Sequence, residues 1–256
     1  MSEESQTVIY SVDRAVARLT LNRPDKRNAL NSDVIGSLTS ALRVAENNDA
    51  VRVVVIAGAG SDFCSGADLG ALQKVSDSSV TENVADARSL MELFLTIRHL
   101  RLPVIAAVQG RALAGGAGLA IACDIVLAAT SARFGYPEVK IGFVPAMVTA
   151  ILRRNVSEKQ AFELITRGAE ISAEQASKIG LINHVYADES FEHEVEGYAQ
   201  GFEKVSRSAV ALAKQLLYQI DGMTFVNAIQ SGLDINVIAR LTEECKDGVA
   251  RFLRKD

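Results

Sequence analysis

The sequence predicts an α/β fold as far as Pro145, followed by a mostly helical region. Two β-branched runs, Val51–Ala57 and Val104–Val108, have the composition of strands that are buried on both faces of a sheet. A glycine-rich turn and then a helical pattern follow each run. Strands that alternate with crossover helices in this way are typical of α/β folds. The third observation is a change at Ala146, after which only one short predicted strand, Leu181–Val185, interrupts the helical pattern.

The first elements are a hairpin and an amphipathic helix. Residues Thr7–Leu21 alternate as two strands do, and we expect the turn between them at Val12–Arg14. A polar loop follows, and Asn31 or Ser32 is placed to cap a helix that runs to about Asn47. Apolar residues recur along that helix at spacings of four, which gives it one face that can pack on the core.

The later elements are mainly helices. One is predicted from about Val80 to Arg101, and another over Gly115–Ala122 is followed by a strand at Asp124–Ala129. Further helices are predicted over residues 146–154, 157–167, 172–179, 188–205, 207–219 and 222–253. Two explanations stay open for an apolar stripe on the last of these, a subunit contact or packing on the chain's own core. The stripe consists of Phe225, Ile229, Leu233, Val237 and Leu241.

Composition and charge exclude several classes of function. The 256 residues carry a net charge of −4 with a pI of about 5.5, so we expect no general affinity for nucleic acid. No apolar run reaches the roughly 20 residues of a membrane-spanning helix. Because the acidic N-terminus also lacks a signal-peptide pattern, we expect a cytoplasmic protein without membrane attachment. Cys64, Cys123 and Cys245 have no metal or redox spacing and are expected to be reduced thiols.

Both buried strands are followed by loops that are rich in small residues. The segment GAGSDFCSGADLG (Gly58–Gly70) follows the first strand, and Ala114–Gly116 follows the second. Neither has the glycine pattern of a dinucleotide loop, and no phosphate-loop lysine motif occurs, which disfavours a nucleotide site. If the two strands are neighbours, backbone N–H groups from Ser65–Leu69 and from Ala114–Gly116 can converge on one oxygen. The pattern therefore predicts an oxyanion hole.

Glu138 is the acid that we expect to move protons. Its apolar neighbours suggest partial burial, which raises the pKa of a carboxyl group toward the range useful in acid–base catalysis. On sequence alone the alternative stays open, namely a salt bridge to Lys140 or a solvated loop position. Asp68 and Asp124 also lie beside the glycine loops. We interpret Asp68 as a turn or helix-cap residue and Asp124 as a structural hydrogen-bonding residue.

Four motifs lie in order along the chain: LNRPDKRNALN (Leu21–Asn31), DFCSGADL (Asp62–Leu69), AGGAGLAIACD (Ala114–Asp124) and FGYPEVKIGFVP (Phe134–Pro145). With them the chain resembles the crotonase superfamily, the enoyl-CoA hydratase/isomerase family, from one end to the other. The resemblance implies an α/β crotonase-like spiral of repeated ββα units over residues 1–195. It further implies a C-terminal helical region over residues 196–256 that builds homotrimers, which often pair into homohexamers.

The resemblance also implies a substrate and a set of site residues. The substrates are acyl-CoA thioesters, so coenzyme A is part of the substrate, and neither a separate cofactor nor a metal is expected. The backbone N–H groups of Ala67 and Gly115 match the two donors that hold the thioester enolate, and Glu138 matches the second of the two family glutamates. Positions expected to line the substrate and CoA site are Lys26, Arg27, Ala29, Ser65, Gly66, Asp68, Leu69, Gly116, Gly118, Pro137, Phe252 and Lys255.

The chain departs from the family pattern at two places. Hydratases of the family usually carry a first glutamate where this chain has Gly118, and a PGAGGTQ segment where it has PAMVTA, Pro145–Ala150. This half of the site resembles Δ3,Δ2-enoyl-CoA isomerases, which use one glutamate. Hydration and a double-bond shift therefore both stay open, and we expect Gly118→Glu to favour hydration. The alternative to an enzyme is a non-catalytic protein that binds CoA thioesters, which the loss of an acid favours and the retention of Glu138 disfavours.

Overall fold

A six-stranded sheet forms the core of the protein in a computed structural model that describes residues 6–68, 70, 73 and 77–254. The spatial order of its strands is β1-β2-β3-β4-β6-β9, with β1 antiparallel to β2 and every other neighbouring pair parallel. The strands are β1 (Val8–Asp13), β2 (Val16–Leu21), β3 (Val53–Gly58), β4 (Val104–Val108), β6 (Ile125–Ala129) and β9 (His184–Tyr186).

A second, three-stranded sheet lies beside the first and has the order β5-β7-β8. Its strands are β5 (Arg111–Leu113), β7 (Arg133–Gly135) and β8 (Glu170–Ser172). Strand β5 runs parallel to β7, and β7 runs antiparallel to β8. These strands were not predicted, because three residues are too few to show an alternating pattern.

The α-helices of the described residues surround both sheets. They are α1 (Ser32–Glu46), α2 (Val80–His99), α3 (Gly115–Ala122), α4 (Ala146–Asn155), α5 (Glu158–Arg167), α6 (Ala173–Lys178), α7 (Phe191–Gln200), α8 (Arg207–Gln219), α9 (Phe225–Leu241) and α10 (Glu243–Leu253). Short 3-10 helices lie at Pro24–Lys26, Pro137–Ile141 and Gly201–Lys204.

The large sheet is covered on both faces, as the β-branched composition of its strands predicts. In β3, Val54 and Ile56 belong to the main core, which also contains residues of α1 to α6. Val53 and Val55 point to the opposite face, where they join a smaller cluster that includes Val195 of α7. Every residue of β3 and β4 is buried. The predicted α/β class is therefore confirmed.

Local signals placed several elements correctly and others incorrectly, among them the strand predicted at Leu181–Val185, which lies at His184–Tyr186. Helix α1 begins after Asn31, whose side chain accepts a hydrogen bond of 3.0 Å from the backbone N–H of Val34, as predicted. The hairpin turn is at residues 14–15 rather than at Val12–Arg14, since Arg14 adopts a positive φ of 49°. The helix predicted over residues 222–253 is two helices, because Thr242 ends α9 and caps α10.

The C-terminal helices leave an apolar surface uncovered in the single chain. The predicted stripe is exposed, from 80% at Phe225 to 50% at Val237, so its alternative explanation as a core stripe is wrong for this chain. The predicted boundary between residues 195 and 196 falls inside α7, whose Val195 and Ala199 are fully buried. Among the helices of the described residues, none has the length and apolar character needed to cross a membrane.

Candidate active site

Two loops meet at the carboxyl ends of β3 and β4. The strands are parallel neighbours, with Val54 opposite Val104, so the condition for an oxyanion hole in the sequence argument is met. The loop after β3 continues alongside β5, where Cys64 forms an isolated parallel bridge with Ala112. The N–H of Leu113 donates to the carbonyl of Cys64 over 3.0 Å, which ties the first loop to the start of α3.

Glycine is required where the two loops touch. Gly66 has a φ of 94°, and a Cβ added there would lie 2.8 Å from Cβ of Ala114 and 3.4 Å from the backbone nitrogen of Gly115. A Cβ on Gly116 would lie only 2.2 Å from the carbonyl oxygen of Cys64. Both positions therefore require glycine, because the backbones of the two loops approach each other as closely as the sequence predicted.

The backbone N–H groups of Ala67 and Gly115 lie on this contact. Leu30 is hydrogen-bonded to the residues on either side of Ala67. Its N–H donates to the carbonyl of Gly66 over 2.7 Å, and its carbonyl accepts from the N–H of Asp68 over 2.9 Å. In a parallel bridge the N–H of the central residue points the other way. Gly115 is the first residue of α3, where backbone donors have no acceptor within the helix and the helix dipole is positive.

Neither N–H donates to a backbone carbonyl in the loops that the structure describes. Outside the helices and strands, no backbone hydrogen bond of the described residues uses the N–H of Ala67 or Gly115. Ala67 is exposed and Gly115 is half-buried, so neither residue is closed off from solvent. The residue before Gly115 holds an unusual conformation, because Ala114 has φ 50° and ψ −124° and donates its N–H to Gly135 over 2.8 Å.

Glu138 reaches the same end of the small sheet. Strand β7 pairs in parallel with β5, with Gly135 opposite Leu113, so the chain leaves β7 beside the start of α3. Glu138 follows three residues later in the 3-10 helix Pro137–Ile141. Gly168 allows that helix to pack closely, since a Cβ there would lie 3.3 Å from Cα of Pro137.

Burial sets the acid strength of Glu138. Its Oε2 atom is buried without a hydrogen-bond partner among the described residues, and desolvation raises the pKa of the carboxyl group. Two of the apolar neighbours used in the sequence argument are open to solvent, since Ile141 is 71% exposed and Phe143 is 50% exposed. Phe134 and Tyr136, on the other side in sequence, are fully buried.

The competing explanation for Glu138 was a salt bridge. Within the described residues Glu138 takes part in no ion pair, and Lys140 is exposed. Tyr136 is a second polar group nearby that the sequence argument missed, and its hydroxyl is buried without a partner in the described part of the chain. Burial, and then the negative charge of Glu138, raise the pKa of the Tyr136 phenol.

Two further residues that sequence reasoning missed fix the basic loop. The guanidinium of Arg23 donates to the carbonyl of Ala29 over 2.7 Å and to Asp68 over 2.8 Å. The buried Asn28 amide donates to the carbonyls of Ala59 and Asp62, over 2.9 and 2.8 Å. Both residues belong to the motif NRPDKRN, whose density of polar residues around Pro24 is the signal that could have identified them.

Asp68 and Asp124 have the structural roles that the sequence suggested. Asp68 accepts from Arg23 and from the Gly70 N–H over 2.8 Å, and these two hydrogen bonds hold its carboxyl pKa below the ordinary value. Asp124 accepts from the Val104 N–H and from Lys214, both over 2.7 Å. Its second oxygen accepts from Tyr218 over 2.6 Å.

The structure brings most of the remaining predicted positions to this region. The N–H of Ser65 donates to the carbonyl of Arg27 over 3.0 Å, which places the loop with Lys26 and Ala29 next to the loop that contains Ala67. Lys26 and Arg27 are exposed, and Pro137 opens the helix of Glu138. Phe252 lies far along the chain on α10 and is 73% exposed. Leu69 and Lys255 lie outside the described residues.

Gly118, the position of the absent first glutamate, is buried. A Cβ added there would lie 2.5 Å from Cγ2 of Val148 and 3.2 Å from Cζ of Phe94. Val148 lies in the segment Pro145–Ala150, which the sequence argument already assigned to this half of the site, whereas Phe94 was not predicted to belong to it. A glutamate at position 118 would therefore require Val148 or Phe94 to move, and the expectation that Gly118→Glu favours hydration stays a prediction.

The described residues offer little for other catalytic chemistries. No group of three or more potential metal-ligating side chains occurs among them. Cys64 lies next to the loops, but burial raises the pKa of its thiol to about 12, which leaves it protonated and unreactive. Burial likewise raises the pKa of the Cys123 thiol.

Comparisons with known proteins show the family of this chain. The family model described as enoyl-CoA hydratase/isomerase matches residues 11–256. A Thermus thermophilus protein provisionally named an enoyl-CoA hydratase is 39% identical over 240 residues, which cover 94% of this chain and 95% of that protein. The 2,3-dehydroadipyl-CoA hydratase of Escherichia coli is 33% identical over 250 residues, 97% of this chain and 96% of its own.

A solved structure shows the same fold. The crystal structure of an enoyl-CoA hydratase from Mycobacterium smegmatis superposes with a TM-score of 0.93 at 31% identity, over 98% of this chain and 97% of that one. The crotonase fold expected from the motifs is thereby confirmed. The chain belongs to the enoyl-CoA hydratase/isomerase family.

Proposed function

We propose that this protein acts on enoyl-CoA thioesters through an enolate, with Glu138 as its main acid and base. The observation that carries the proposal is the contact between the two loops at Gly66, beside which the N–H groups of Ala67 and Gly115 are left to hold one oxygen. Family membership supports the acyl-CoA substrate and an enzymatic role.

The two N–H groups stabilise charge that develops on the thioester oxygen. When a proton leaves the α carbon, the electron pair of the C–H bond delocalises onto this oxygen as an enolate. Backbone donors that are already in place cost no reorganisation, and each is worth roughly 10²–10³ in kcat in related oxyanion sites. The positive end of the α3 dipole adds to the stabilisation.

Glu138 is the group that moves the proton. In a double-bond shift its carboxylate removes an α proton from a 3-enoyl-CoA, which gives a dienolate. The carboxylic acid then returns the proton to the γ carbon, and the double bond is left between the α and β carbons. The raised pKa of Glu138 supports both steps, because a carboxyl group whose pKa lies closer to neutral pH can both accept and return a proton there.

Hydration uses the same enolate but needs a bound water molecule. Glu138 would take a proton from that water as its oxygen adds to the β carbon, and the acid so formed would protonate the α carbon. One carboxylate can complete the cycle, but it must also hold the water. The names of the relatives favour this reaction, and the apolar surroundings of Gly118 favour the double-bond shift.

The CoA part of the substrate is proposed to contact the loop Lys26–Ala29. Two exposed cations there, Lys26 and Arg27, suit phosphate groups. We further propose that the chain assembles into a homotrimer or homohexamer through the apolar stripe on α9, whose exposure supports a subunit contact. We propose that Phe252 and Lys255 then contact CoA that is bound across the subunit contact.

A comparison of wild type with Glu138→Gln on two substrates tests the enzymatic proposal. With crotonyl-CoA and with a 3-enoyl-CoA, we expect the variant to lose at least about 10²-fold in kcat, because it cannot accept a proton. Glu163→Gln is the matched control, since Glu163 is a surface acid paired only with Arg167 among the described residues. Full activity of Glu138→Gln would show that the assignment of Glu138 is wrong.

The same measurements separate the alternative function. If the wild-type protein binds CoA thioesters but turns over neither substrate, it is a non-catalytic binder. Isothermal titration with a non-reactive acyl-CoA distinguishes that outcome from a protein that does not bind CoA thioesters.

A further inference from the structure

The surroundings of α3 at Gly118 are apolar and closely packed. Gly118 follows Gly115 by three residues on α3, so the two positions lie on the same side of the helix, about 4.5 Å apart along its axis. The space next to Gly118 is filled by Val148 of α4 and by Phe94 of α2. Each of these side chains is only 4% exposed.

Val148 cannot yield this space easily. A Cβ on Gly118 would be 2.5 Å from Cγ2 of Val148 but 3.6 Å from its Cβ, so the conflict with Val148 comes from one methyl group. A β-branched side chain within a helix is held to one rotamer. The first turn of α4 is itself fixed, since the hydroxyl of Thr149 donates to the carbonyl of the buried Pro145 over 2.8 Å.

We propose that Val148, backed by Phe94, determines which reaction this site performs. It occupies the space that a second carboxylate at position 118 would need, and it offers no hydrogen bond to a water molecule on that side. A bound water needs two to four polar partners, and neither valine nor phenylalanine supplies one. Val148 thereby favours the proton shuttle of Glu138 over hydration. This inference rests on the proposed enolate chemistry at the same site.

The chemistry explains why the apolar surroundings of Gly118 matter for one reaction only. A double-bond shift moves one proton from the α to the γ carbon and consumes no other reactant, so it tolerates dry surroundings. Hydration forms a new bond between the oxygen of water and the β carbon, and it needs that oxygen held in place. The identity of residue 148 should therefore change the ratio of the two activities, whereas a general loss of packing should lower both.

A set of four proteins tests the proposal: wild type, Val148→Ala, Gly118→Glu and the double variant. Alanine removes the methyl group in conflict and leaves a Cβ at an ordinary contact distance. Hydration of crotonyl-CoA and isomerisation of a 3-enoyl-CoA are measured for each, together with the thermal midpoint. Ile151→Ala is the control for loosened packing, because Ile151 is a buried apolar residue on the same helix.

We expect Gly118→Glu alone to lower the thermal midpoint and Val148→Ala to restore part of that loss in the double variant. The folded double variant should raise the ratio of hydration to isomerisation by at least about 10²-fold, the contribution of one positioned acid or base. Ile151→Ala should leave the ratio unchanged.

A folded double variant with the wild-type ratio would overturn the role of Val148. If the double variant does not fold, Gly118→Ala and Gly118→Ala/Val148→Ala are compared instead. Additive effects of the two substitutions on the thermal midpoint would equally overturn the role of Val148. Failure of the enolate function itself looks different, since wild type would then turn over neither substrate.

Discussion

Replacing Gly66 with alanine tests whether the contact between the two loops forms the oxyanion hole. The residue has a φ of 94°, and its new Cβ would lie 2.8 Å from Cβ of Ala114 and 2.9 Å from the carbonyl oxygen of Leu113. A left-handed backbone costs an alanine about 1–3 kcal/mol. Overpacking costs about 1–3 kcal/mol more. We therefore expect the free energy of unfolding to fall by about 2–6 kcal/mol, which is large for a single substitution.

The catalytic effect should exceed what lost stability alone explains. To relieve the two contacts, the first loop must move away from α3 and carry the N–H of Ala67 with it. Loss of one oxyanion donor costs roughly 10²–10³ in kcat. We expect such a fall in kcat for crotonyl-CoA or a 3-enoyl-CoA, measured well below the thermal midpoint of the variant. The matched control is Gly36→Ala.

The control separates a glycine effect from a site effect. Gly36 lies on the exposed side of α1, and a Cβ there would meet no atom within 4 Å. Alanine should stabilise that helix by up to about 1 kcal/mol and leave kcat unchanged. A folded Gly66→Ala variant with wild-type kcat would refute the reasoning, because the donors would then tolerate separation of the loops.

Two further predictions concern buried charge. Lys214 donates to Asp124 over 2.7 Å and to the carbonyls of Ile97 and Leu102. Because Lys214→Met leaves Asp124 unpaired, it should lower the free energy of unfolding in urea by about 3 kcal/mol or more. A loss below about 1 kcal/mol would contradict this prediction. Glu138→Gln should be as stable as wild type near pH 4 and more stable at pH 7, measured by urea unfolding across that range. Burial raises the folded pKa of Glu138, so the folded wild type holds its proton longer than the unfolded chain and loses stability as pH rises through that window. An unchanged difference between pH 4 and 7 would contradict the raised pKa.

Much of the fold is predictable from local pattern, and the failures have specific causes. Strands β3 and β4 were visible as β-branched runs, and α3 was placed at Gly115–Ala122 because its small apolar residues follow a glycine turn. The strands of the second sheet were missed because three residues carry no period. The break at Thr242 was missed because the apolar pattern continues across it, and only the hydrogen bond from the Cys245 N–H to its side chain reveals the cap.

The candidate site was predictable in composition but not in assembly. The small-residue loops predicted backbone donors within Ser65–Leu69 and Ala114–Gly116, since close backbone approach leaves a signature of glycines, and the family resemblance narrowed them to Ala67 and Gly115. The path that brings Glu138 to them runs through the pairing of β5 with β7, which no sequence period announces. The buried amide of Asn28 likewise acts through tertiary contacts more than 30 residues away in sequence, with Ala59 and Asp62.

Gly118 shows how the same residue type carries different information at different positions. Gly66 and Gly116 are glycines because backbone atoms approach them, with carbonyl oxygens at 2.9 and 2.2 Å from an added Cβ. Gly118 instead faces side chains, Val148 and Phe94, so its constraint depends on a residue 30 positions later in the chain. The sequence could show that an acid is absent there but not that its space is filled. Because a filled space excludes water as well as the acid, the proposed role of Val148 accounts for a one-carboxylate site more fully than the missing glutamate does.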